Sequence, residues 1–170
     1  SYDNLNYYND FYFGNLAEKL GYNNVLFVLI DHAGFDKKKL KNKIKGNYII
    51  LAKTLNPFIE AKILLITFFK VFYKNLFNYK LKLFSISNIL GSVDSQRISV
   101  QVRNIFKKYD FDKFFFTFEG NPYEKLVCYE AKKFNKNMKS IGYQFSVLRK
   151  FQHSIYVNIN KKFNPNLVFT

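Results

Sequence analysis

The chain has 170 residues, 48% of them hydrophobic and 20% aromatic, with a formal charge of +15. That size and apolar content suit one domain with a real core and exclude a disordered chain. The lone cysteine, Cys128, excludes an internal disulfide, and no Cys/His cluster has metal-ligand spacing.

Asn9 to Leu20 reads as a helix stopped by Gly21, since glycine takes a left-handed cap at little cost. The run 25-VLFVLI-30 shows no polar alternation, which suits a strand covered on both faces. It ends in Asp31-His32-Ala33-Gly34. Residues 35–46 are rich in lysine and read as a short helix or loop, and 48-YIILA-52 reads as a second buried strand. Pro57 suits a first helical turn and opens a long helix to about Asn78, with Lys62, Lys70 and Lys74 at four-residue multiples on one side. Its longest apolar run, 63-ILLITFF-69, is too short to span a bilayer. Residues 79–93 show no clear period. From Asp94 to Tyr109 the helical period returns, with Ile98, Val102, Ile105, Phe106 and Tyr109 on one face.

The stretch 113-KFFFTFEGNPYEK-125 carries the most information. Residues 113–118 predict an aromatic strand. Asn121 is placed as an N-cap, Pro122 at the first helical position, and Glu124 three residues past the cap, a capping-box arrangement. Tyr123, Val127, Ala131 and Phe134 form the apolar stripe of the helix that follows. Strands are predicted at 138-MKSIGYQFS-146 and 166-NLVFT-170. Alternating strands and helices predict an α/β sandwich with a mostly parallel sheet, and 113–143 has the length of a βαβ crossover.

In open parallel sheets, ligands bind beyond the carboxyl ends of the strands. Glu119, Gly120 and Asn121 lie at such an end. Gly120 allows a sharp turn and close approach of a ligand to backbone. The new helix directs N–H groups and partial positive charge toward the same crevice. Glu119 is placed to accept hydrogen bonds from a hydroxyl-rich ligand or to take its proton. The competing reading is that Glu119 only caps the helix or pairs with a lysine. Gln144 and Ser146 repeat the pattern at the end of the next strand, and Asp31 and His32 at the end of an earlier one. Gathered on one rim, the three clusters would make a pocket.

Elsewhere the chemistry is sparse. His32 and His153 are far apart, so no Ser/His/Asp triad is assigned. Cys128, inside a helix, reads as a packed small residue. The glycines match neither a dinucleotide fingerprint nor a P-loop, which leaves a flavodoxin-like small-molecule domain without its phosphate loop. Of the 27 basic residues only Arg97, Arg103 and Arg149 are arginine, and the wealth of Asn, Lys, Phe, Tyr and Ile matches the drift of an AT-rich genome. That balance points away from nucleic acid, whose readers favour arginine's bidentate fork. Lysines mixed with aromatics across 57–86 are suited to anionic lipid head groups, or else are solvated beside a core-facing stripe. The alternative class on charge alone is a non-catalytic basic domain that binds an anionic membrane or RNA. The polar start, SYDNLNYYND, is not a signal-peptide pattern, and a cytoplasmic location is expected.

The segments 119-EGNPYEK-125, 141-IGYQFS-146 and 165-PNLVFT-170 resemble the N-terminal half of bacterial GT-B-type glycosyltransferase-like proteins of surface-carbohydrate biosynthesis. Those proteins carry similar E-G-x-P-Y/W-E and G-Y-Q-H-S segments, then a P-D-x-I/V strand that leads to a second domain. Phe145 stands where that pattern prefers histidine, and Asn166 where it prefers aspartate. The stretch 11-FYFGNLAEKL-20 is similar to the first helix of such a lobe. The resemblance implies a Rossmann-like lobe over 1–170 that shapes the acceptor side, lacking its first strand and a C-terminal lobe for the nucleotide-sugar donor. It implies a sugar or lipid-linked glycan acceptor at the inner face of the cytoplasmic membrane. It also implies Glu119 as general base in the full-length enzyme and no transfer by the isolated chain.

Overall fold

The computed structural model describes residues 12–30, 46–77, 86–145 and 161–170. The chain divides into two compact units, Ser1–Lys53 and Thr54–Thr170. Among the described residues the protein is mixed α/β, with two short sheets whose strands are all parallel.

In the first unit, helix α1 (Leu16–Leu20) is followed by a 3-10 turn at Tyr22–Asn24 and strand β1 (Leu26–Ile30). The helix is shorter than the pattern predicts, because Gly14 adopts a φ of 55° and ends any helical run before Asn15. Residues 9–11 of the predicted helix lie outside the described residues. Gly21 closes α1 as expected, with φ 80° and its N–H donating to the Glu18 carbonyl at 3.1 Å. Strand β2 (Asn47–Leu51) pairs in parallel with β1, Val28 opposite Ile49. Just before β2, Gly46 takes a φ of 97°, and a Cβ there would lie 2.9 Å from the Tyr22 carbonyl oxygen. Both predicted strands exist, the first shorter by Val25 and the second one residue earlier, but of their residues only Leu51 is buried.

The second unit begins with helix α2 (Pro57–Phe77) and helix α3 (Ile86–Lys108). Bonds from Arg97 Nε and Nη2 to the two Glu60 oxygens, at 2.7 and 2.8 Å, join these helices. The same guanidinium reaches Asp94 at 2.5 Å. Arg97 holds the Glu60 carboxyl at a pKa of about 2, helped by the Leu55 N–H at 2.8 Å. Helix α3 starts eight residues before the predicted Asp94, in a stretch without clear period. Val93, Ser95, Ser99, Val102, Ile105 and Phe106 bury its inner face, so packing overrides weak local propensity. Tyr109 falls past the helix end and is exposed.

Strand β3 (Lys113–Thr117), helix α4 (Pro122–Phe134) and strand β4 (Lys139–Tyr143) form the predicted βαβ unit, with β3 and β4 parallel. Strand β5 (Leu167–Phe169) adds to the other edge of β4, also in parallel. Helix α3 packs along α4. The pair Arg103–Glu130 crosses that seam with two bonds, at 2.6 and 2.9 Å, and Glu130 is buried. On α4 the predicted stripe holds at Val127 and Ala131, which are buried. Phe134 is exposed, and Glu124 and Cys128 are buried beside the stripe instead. The tight core thus lies between α3, α4 and the three-stranded sheet.

Candidate functional site at the carboxyl ends of two parallel strands

The turn after β3 is built around one buried carboxylate. Phe118, at 3% exposure, anchors the strand end, and its N–H donates to the Tyr143 carbonyl at 2.8 Å. Gly120 then reverses the chain with φ 91°, a backbone that L side chains rarely adopt. The Gly120 and Asn121 N–H groups donate to Glu124 Oε2 at 2.8 and 2.9 Å, and Asn121 Nδ2 donates to Oε1 at 2.9 Å. Asn121 and Glu124 form the expected capping box. Glu124 itself is 1% exposed. Burial pushes its carboxyl pKa up, and the hydrogen bonds from Asn121 and the 119–121 backbone offset part of that rise. The Gly120 and Asn121 N–H groups are therefore held by Glu124.

Glu119 is half-buried and accepts a hydrogen bond from the Phe145 N–H. That bond joins the loop after β3 to the end of β4. Gln144 is buried at the same strand end, and its N–H donates to the Phe169 carbonyl of β5 at 2.8 Å. Four of the predicted site residues, Glu119, Gly120, Asn121 and Gln144, thus share one edge of the three-stranded sheet. Asp31, His32 and Ser146 lie outside the described residues, as does His153. Next to Gln144 in the chain, Phe145 is 52% exposed.

Two features went unread in the sequence. Ser140, fully buried in β4, donates its hydroxyl to Asn166 Oδ1 at 2.6 Å. The same oxygen accepts the Ser140 N–H at 3.0 Å, and the Asn166 N–H lies 2.8 Å from the Ser140 carbonyl. Cys128 Sγ approaches Ser140 Oγ at 3.8 Å, and burial pushes its thiol pKa up. These contacts stitch α4, β4 and the start of β5 together. The second feature is an open cavity of about 280 Å³ lined by Phe106, Tyr109, Phe111, Phe134 and Met138 together with Lys107, Lys108, Asp110 and Asn135. It sits at the amino ends of β3 and β4, the edge opposite Glu119.

Among the described residues no group of three or more His, Cys, Asp or Glu is placed to hold a metal ion. No protein-family model, curated protein or solved structure matches this chain. The chemistry open to the site is that of Glu119. Its oxygens are hydrogen-bond acceptors, and Phe145, whose N–H one of them accepts, is largely exposed.

Proposed function

We propose that this chain is the acceptor-side lobe of a glycosyltransferase-like protein of bacterial surface-carbohydrate biosynthesis, a Rossmann-like lobe of a GT-B enzyme. The observation that carries the reading is the convergence of Glu119, Gly120, Asn121 and Gln144 at the carboxyl ends of parallel strands β3 and β4. Those residues come from the two segments, 119–125 and 141–146, that resemble this family. Asn166, the departure from the family's aspartate, keeps an acceptor oxygen for Ser140, so the departure costs the fold little.

In this reading the acceptor hydroxyl gives its proton to Glu119 as its oxygen bonds the anomeric carbon of the donor sugar. The nucleoside diphosphate leaves with the electrons of the broken bond. The donor belongs to a second lobe, and the acceptor side faces the inner surface of the cytoplasmic membrane. Two measurements test this. The coding DNA downstream is expected to encode a further α/β domain with a Gly-rich turn. A stop codon followed by an unrelated gene would defeat the proposal. In the full-length protein Glu119→Gln is expected to lower kcat by about 100-fold or more while KM stays within a few-fold. Unchanged turnover removes the general-base role.

A further inference from the structure

The outward side of α2 has no part in the site above, and its makeup is unusual. Over residues 57–70, Ile63 and Thr67 are buried, and Glu60 turns inward to Arg97. Phe58, Leu65 and Phe69 are 87%, 58% and 63% exposed. At about 100° per residue these three fall within roughly 40° of arc, so they form one stripe. Leu64 and Phe68, both more than two-fifths exposed, widen it on one flank. Lys62 and Lys70 are exposed on the other flank, and Glu60 is the only acid in this span.

We infer that this face docks on an anionic lipid bilayer, with α2 lying flat in the interface. The partner follows from charge and shape. A second copy would bring the Lys62 and Lys70 flanks of two +15 chains against each other, and like charges repel. An anionic surface attracts the same lysines and takes up the aromatic stripe among its acyl chains. No described helix is long and apolar enough to cross a membrane, so the contact is interfacial. The inference stands on α2 alone and does not require sugar transfer.

The chain has no tryptophan, so Phe69→Trp installs a unique reporter on the stripe. The probes are phosphatidylcholine vesicles with and without phosphatidylglycerol. With anionic vesicles the emission of the Phe69→Trp protein is expected to shift blue and the protein to co-sediment. With neutral vesicles neither is expected. Lys62→Glu with Lys70→Glu is expected to weaken partitioning by at least about thirtyfold, two surface lysines being worth roughly 1 kcal/mol each. Phe58→Ser with Leu65→Ser is expected to abolish the shift, while circular dichroism and the urea midpoint show the fold retained. Three results overturn the inference. One is emission already blue without lipid and unmoved by it, which means protein covers the face. Another is equal binding to neutral vesicles. The last is anionic binding that survives the lysine reversal.

Discussion

Gly142 lies in β4, between Phe116 of β3 and Val168 of β5, and alanine there has no room. The added Cβ would lie 2.9 Å from Phe118 Cβ and 3.1 Å from Pro165 Cγ. Relaxed carbon contacts are about 3.5–4.0 Å, so each neighbour would have to retreat by roughly 0.5–1 Å. Neither moves easily. Phe118 Cβ is bonded to a backbone whose N–H is fixed on Tyr143, and Pro165 adjoins Asn166, which is tied to Ser140. Overpacking of this kind costs about 1–3 kcal/mol. The smaller unfolded-state entropy of alanine offsets about 0.4–1 kcal/mol. A net loss of about 1–2 kcal/mol is expected for Gly142→Ala, read as a lower urea midpoint with unchanged m-value. Gly91→Ala is the control. Its Cβ would meet nothing within 4 Å on helix α3, and a gain of about 0.5–1 kcal/mol is expected. If Gly142→Ala proved as stable as the parent, the close approach of β4 to Phe118 would be wrong.

Acid should weaken the fold through Glu60. Its pKa is depressed to about 2, so its stabilising effect is full above pH 4.5 and is lost as pH falls toward 2. The loss is worth about 1–3 kcal/mol, and Glu60→Gln is expected to flatten that limb of a stability–pH curve. Arg103→Met leaves Glu130 buried without its partner and is expected to cost about 3–5 kcal/mol in urea unfolding. Adding Glu130→Leu should restore most of it, and an additive double variant would exclude coupling across α3 and α4. Asn166→Ala removes the acceptor of two Ser140 donors, for a loss of about 1–3 kcal/mol. Asn166→Asp keeps that acceptor and should fall well short of the alanine loss in the same titration.

What the sequence made legible was local. The start of α4 follows from Asn121, Pro122 and Glu124, because capping chemistry is complete within four residues. The parallel pairing of β3 with β4 follows from the length between them. The start of α3 was hidden by Ser87, Gly91 and Ser92, poor helix formers that yield to packing farther along the same helix. Gly14 misled in the other direction, its left-handed backbone cutting short a plausible helix. At the site, the nearness of Glu119 to Gln144 was readable from strand ends. The burial of Glu124 was not, since a capping-box glutamate does its local work equally well in water. Ser140 and Asn166 meet across 26 residues of chain, and no local pattern announces such a pair.

The placement of Glu124 has a bearing on what the helix start has left to offer. Phosphate-binding loops leave a socket of backbone donors for an incoming anion, whereas here the Glu124 side chain already fills the socket before α4. A phosphate brought to that spot would find the Gly120 and Asn121 N–H groups already taken. The start of α4 thus spends the Gly120 and Asn121 donors on the fold itself.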